Sequence, residues 1–129
     1  MPKMAFNTSS WSGKEEVNKA KLKLEIPNFS DVVGDIRKGR SIKSKQFDVG
    51  RVKFALKIFP NGTRHAEKGM LSAFLQNEGN HDVEVDFTIS VEEGSEYSSE
   101  NQKIVKGRGW GWENFMRASE VGTRGEYFS

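Results

Sequence analysis

The chain alternates between apolar and polar residues through most of its middle, and it does so with a period of two. Leu22, Leu24 and Ile26 alternate with Lys21, Lys23 and Glu25, which predicts a half-buried strand ended by Pro27-Asn28. Val52, Phe54, Leu56 and Ile58 alternate with Lys53, Ala55 and Lys57, and Pro60-Asn61-Gly62 is a strong turn signal behind them. Residues 69–77 place Leu71, Ala73 and Leu75 on one face and Met70, Ser72 and Phe74 on the other. The cleanest strand is residues 83–91, where Val83, Val85, Phe87, Ile89 and Val91 alternate with Glu84, Asp86, Thr88 and Ser90. Weaker signals predict short strands over residues 41–47 and 101–106. Residues 30–41, with Gly34, Gly39 and several charges, read as an irregular loop, as does the acidic, Ser-rich stretch 92–100. Gly107-Arg108-Gly109-Trp110-Gly111-Trp112 reads as a glycine-aromatic loop, and residues 113–121 as one or two helical turns. No segment sustains a period of 3.6 residues. Short strands at regular spacing, with turns between them, predict an all-β antiparallel sandwich.

Composition narrows this picture. The 129 residues suffice for one domain with its own core. Residues 1–18 are small and polar apart from Trp11 and read as a flexible leader, leaving 19–129 as the domain. There is no cysteine, which excludes a disulfide scaffold, a thiolate zinc site and a thiol nucleophile. Twenty basic residues against eighteen acidic give a net charge of +2, too small to imply nucleic-acid binding. There is no apolar run of transmembrane length and no signal-peptide pattern, so an intracellular place, cytoplasmic or nuclear, is expected and no membrane partner.

Catalytic chemistry finds no foothold. His65 and His81 are isolated in predicted loops, with no carboxylates at metal-ligand spacing. No serine lies in a nucleophile elbow, and the glycine-rich segment 107–111 lacks the Lys-Ser/Thr ending of a phosphate cradle. The expectation is a protein that is no enzyme and needs no cofactor or metal.

The ordered motifs resemble one family. Leu24-Glu25-Ile26-Pro27-Asn28-Phe29-Ser30, Ser44-Lys45-Gln46-Phe47-Asp48-Val49-Gly50, the segment from Phe54 to Gly62 (FALKIFPNG), the segment from Lys68 to Leu75 (KGMLSAFL) and that from Gly109 to Met116 (GWGWENFM) follow in the order and spacing of the MATH domain, also called the TRAF C-terminal domain. The resemblance covers residue 22 to about 121. It implies a sandwich of seven to eight strands that binds short extended peptides, often rich in Ser and Thr, by strand addition, in ubiquitin-ligase adaptors, signalling adaptors and some deubiquitinases. It also exposes a departure. Members usually continue into one more strand after the helical turn, whereas this chain ends at Gly125-Glu126-Tyr127-Phe128-Ser129, so the final strand is expected to be missing or atypical and an edge left open.

Carried over by position, the family's peptide groove falls on Lys57, Phe74, Phe87, Gln102, Arg108, Gly109, Trp110 and Trp112, with Lys103 beside it. Phe74 sits on the more polar face of its strand, as a groove wall requires. Phe87 shares its face with Val85 and Ile89, so core packing and groove lining are both open to it. Trp110 and Trp112 are two residues apart and point the same way in an extended segment; Trp110 is the better groove wall, with the intervening glycines letting another backbone come close. Gln102 stands where the family has an aromatic and Gly109 where it has an acidic residue, so the peptide preference is expected to differ from that of the best-known members. Lys57, Lys103 and Arg108 would favour acidic or phosphorylated flanks. Two other readings stay open: a sandwich that pairs with a second copy through an open edge strand, using Trp11 or Tyr127-Phe128, and a glycan-binding sandwich that stacks sugars on Trp110 and Trp112.

Overall fold

The period-two segments become strands that turn one apolar face to a shared interior. The computed structural model describes residues 3–12, 18–27, 29–91 and 94–120. Among these residues the chain forms, in order, β1 (Lys3–Ser12), β2 (Asn18–Pro27), α1 (Phe29–Asp35), β3 (Ile42–Lys43), β4 (Phe47–Val49), β5 (Val52–Phe59), β6 (Met70–Asn77), β7 (Val83–Val91), β8 (Glu96–Ile104) and β9 (Gly109–Arg117). The strands make two antiparallel sheets. The first runs β2-β1-β7-β8; in the second, β5 pairs β3 and β4 on one side and β6 on the other, and β9 follows β6. The predicted all-β sandwich is the observed fold.

Its core joins Phe54, Leu56 and Ile58 of β5, Leu71, Ala73 and Leu75 of β6, and Val85, Phe87 and Ile89 of β7, with Ile26, Phe29, Ile104, Phe115 and Met116 around them. Each fully buried branched aliphatic or Phe side chain here contributes roughly 1.5–3 kcal/mol over its exposed state. Leu24, expected in the core, is half-buried at its margin.

Five segments differ from expectation. Residues 29–35 form a short helix where a loop was expected; Phe29 is buried as its anchor, and the Asn61 side-chain amide donates hydrogen bonds to the carbonyls of Val33 and Ile36 at its end. The weak strand over 41–47 is two fragments, because Ser44 breaks the ladder while still exchanging hydrogen bonds with Leu56: the Ser44 N–H donates to the Leu56 carbonyl at 2.8 Å and the Leu56 N–H to Ser44 Oγ at 2.9 Å. The acidic stretch after Val91 enters β8 at Glu96, and the glycine-aromatic loop enters β9 at Gly109; helical backbone begins only at Ala118. The leader expected to be flexible is strand over Lys3–Ser12, held by neighbours on both sides: every residue of β1 pairs with β2, and Phe6 to Trp11 pair with β7. The first sheet thus has no vacant interior position. Residues 121–129, where a final strand was expected to be missing, lie outside the described residues.

Candidate functional site

The second sheet ends at β9, whose far edge carries no partner strand among the described residues. How β9 is held follows from β6. Leu75 faces Trp110, Phe74 faces Gly111 and Ala73 faces Trp112; then Leu71 faces Met116. Between Ala73 and Leu71 the chain of β6 advances two positions while β9 advances four, from 112 to 116, so β9 bulges by two residues. Ser72, fully buried, fills the opening: its hydroxyl donates to the Glu113 carbonyl at 2.6 Å and accepts the Thr63 N–H at 3.0 Å. Asn114 Oδ1 accepts the Glu67 N–H at 2.8 Å on the outer side of the same bulge.

At the other end Asn77 ties three segments together. Its side-chain amide donates to the carbonyls of His81 and Ile104, both at 3.0 Å, and its Oδ1 accepts the Gly79 N–H. Its backbone N–H donates to the Arg108 carbonyl, and its own carbonyl accepts from the Gly107 N–H. A buried amide satisfied this fully fixes where β9 begins.

The register sorts the anticipated site residues into two groups on opposite faces of the second sheet. Lys57, Phe74 and Gly111 form one cross-strand row on the outer face. Phe59 joins them: its ring meets Phe74 edge-on at 5.7 Å, and the Lys57 ammonium lies 5.4 Å from the Phe59 ring centre. Gly109 lies on this face opposite Gln76.

Trp110 and Trp112 turn the other way, into the gap between the sheets. Their rings meet edge-on at 5.5 Å and both contact Phe87, at 6.1 and 5.6 Å. Tyr97, projecting from β8, stacks on Trp112 at 5.3 Å and meets Phe115 at 5.3 Å. It is 39% exposed, so this aromatic group both closes the sandwich on the β8–β9 side and reaches the surface. Gln102 lies on the same side, opposite Val85, and its side-chain Oε1 accepts from the Ser99 hydroxyl at 3.2 Å.

The register and burial separate the anticipated residues further. Phe74 and Trp110 do not share one wall, because neighbouring rows of an antiparallel pair point to opposite faces. Phe87 is buried to 2% exposure and backs the tryptophans from the core. Lys103 lies apart from these residues: it pairs with Glu84 on the outer face of the first sheet, with its ammonium 4.0 Å from Asp82. Arg108 is exposed in the turn that enters β9. The glycines let a backbone come close, as expected, but at Gly111 that backbone is β6: a Cβ there would stand 2.1 Å from the Ala73 carbonyl oxygen and 2.7 Å from the Phe74 Cα.

Sequence reasoning missed Phe59 and Tyr97. Phe59 was within reach, since it continues the Ala55-Lys57 face. Tyr97 was hidden by its acidic, Ser-rich neighbours. Among the described residues no group of three or more His, Asp or Glu side chains could hold a metal ion, and no helix is long and apolar enough to cross a membrane.

Comparison with known proteins agrees with this architecture. The sequence profile of the MATH domain matches residues 21–128. A TNF receptor-associated factor family protein of Dictyostelium discoideum is 32% identical over 110 residues, a match that takes in 79% of this chain. The chain spans about a quarter of that relative's length, 24%. A two-sheet sandwich carrying the five ordered motifs, matched over most of its length, belongs to the MATH-domain family of protein-interaction modules.

Proposed function

We propose that the chain binds a short extended peptide, rich in Ser and Thr, along the free edge of β9. The observation that carries this reading is the pair of aromatic surfaces on either side of that edge. A strand added to β9 alternates its side chains between the two faces. One set lies over Phe74, Phe59 and Lys57, where Gly109 and Gly111 present no side chain of their own. The other set meets Trp110, Trp112 and Tyr97. Main-chain hydrogen bonds supply affinity without regard to sequence, and the two faces supply the reading. Lys57 and Arg108 favour an acidic or phosphorylated residue near the peptide's ends.

In this reading the module selects a substrate for a ubiquitin ligase or a client for a signalling adaptor in the cytoplasm or nucleus. Membership of the family and the likeness to a TNF receptor-associated factor family protein support it.

The test is a titration with an arrayed set of Ser/Thr-rich peptides. Truncating an aromatic anchor at an interface costs about 2 kcal/mol or more, roughly 30-fold in affinity. Phe74→Ala and Tyr97→Ala should each weaken the best peptide by at least that factor while circular dichroism stays unchanged. Folded variants that bind as the parent does would place the ligand elsewhere.

A further inference from the structure

The net charge of +2 hides an uneven distribution. Residues 36–45 hold five basic residues and no acid, and residues 62–69 add two basic residues against one acid. With His65 neutral the two segments carry +6, which leaves −4 on the rest of the chain. The fold brings them together. The Gly39 N–H donates to the Gly62 carbonyl at 2.8 Å, and the Lys38 ammonium donates to the Ala66 carbonyl at 2.7 Å. The Arg40 N–H closes a turn onto the Arg37 carbonyl at 3.0 Å, with Gly39 at a φ of 88° inside it. Arg64 lies against that turn: a Cβ on Gly39 would stand 3.5 Å from the Arg64 Cγ. Arg37, Arg40 and Arg64 are thus gathered around Gly39, all three exposed.

Among the described residues no carboxylate pairs with these three guanidinium groups. The ion pairs there are Lys43–Glu78, Lys53–Asp48 and Lys103–Asp82. Three like charges without a counter-charge repel one another, so the backbone must hold them in place. The Asn61 amide ties off the end of α1 just ahead of the turn, and the Thr63 N–H is anchored on Ser72 Oγ at 3.0 Å. An anion that meets this corner finds its donors already placed.

We propose that this corner is a second interaction surface, which takes an acidic segment, rich in Asp and Glu, of a protein partner. Carboxylates match the planar forks of the arginines two hydrogen bonds at a time. A membrane surface is a poorer match, because interfacial binding needs apolar side chains beside the basic ones. The exposed large hydrophobics among the described residues are Tyr97 and Val105, in β8 and the turn after it. Single-stranded nucleic acid calls for aromatic platforms beside the charges, and neither basic segment contains a Phe, Tyr or Trp. The surface shares no residue with the β9 edge and stands whether or not a peptide binds there.

The probe is a fluorescein-labelled peptide of alternating Asp and Glu, titrated by anisotropy at low and high salt. The parent should bind it at low salt and lose most of that binding at high salt. The triple variant Arg37→Gln, Arg40→Gln, Arg64→Gln should weaken binding by roughly tenfold or more, with unaltered circular dichroism. Arg64→Gln alone should weaken it several-fold, which keeps the test decisive should the triple variant not fold. Lys53→Gln with Lys103→Gln removes the same kind of charge elsewhere and should change binding by less than about twofold. A parent that does not bind the peptide overturns the proposal, as does a lysine variant that loses as much as the arginine variant. Arginine-dependent binding of phosphatidylserine vesicles or of oligouridine that is tighter than that of the peptide would give the corner to another class of partner and overturn it too.

Discussion

The two faces of β6 come from eight consecutive residues and serve opposite ends. On the inner face Leu71, Ala73, Leu75 and Asn77 are all fully buried and meet the core of both sheets. On the outer face Met70, Phe74 and Gln76 are half-buried and form a surface against which β9 leaves room. The inner face fixes the fold, and the outer face is the one the proposed peptide would use. Ser72 is the exception, an outer-face residue buried because the β9 bulge folds over it. The comparison teaches that the site's geometry is inherited from packing it does not take part in.

The comparison breaks first on the inner face. Leu75→Ala should cost about 2–5 kcal/mol in chemical denaturation, since the side chain is wholly enclosed; a loss below about 0.5 kcal/mol would falsify the assignment of faces. Gly111→Ala comes next, because its clash is with backbone. We expect a loss of about 1–3 kcal/mol, with Gly109→Ala well below it, since the tight approach there is to the flexible Gln76 amide at 2.9 Å and the β6 backbone stays at 3.4 Å. Equal losses at the two glycines would mean that β9 is not seated tightly on β6. Asn77→Ala strips the Ile104 and His81 carbonyls of their donor and should cost about 1–3 kcal/mol. It should also raise hydrogen exchange at Gly107 and Gly109, a readout that loss of packing alone does not localise there. Smallest of all is Lys103→Ala. Its long, exposed contact to Asp82 predicts a change within about 0.5 kcal/mol. Peptide affinity should stay unaltered, whereas Arg108→Ala should weaken binding mainly at low salt.

The strands that could be read from the sequence are those whose alternation is set by burial on one face. β5, β6 and β7 fall within a residue of where the pattern puts them, and the face of Phe74 follows from the same rule. β8 was shortened in that reading for two reasons. Its exposed half is acidic and serine-rich, and Asn101, at a φ of 51°, adds a bulge that shifts the period. β9 read as a loop because its outer face is glycine, a residue that weakens a strand on propensity and is required here by the nearness of β6. α1 depends on a distant partner, Asn61, and β1 reaches its interior place through β7 on one side as well as its neighbour β2 on the other; local sequence does not reveal the distant contacts. The division of the site between two faces was likewise invisible, because it depends on which residue of β9 meets which residue of β6.

The bulge in β9 also acts as a ruler. Regular pairing on this strand runs from Gly109 to Trp112 before two extra residues break the rhythm. At about 3.4 Å per residue, that is roughly 14 Å of edge on which an added strand keeps step. A motif matched to it is about four residues long, and a longer ligand gains little from its remainder. So short a footprint suits modest affinity and rapid release. On the proposed peptide reading, tight capture would need several motifs in one ligand meeting several copies of the module, where effective concentration multiplies weak contacts.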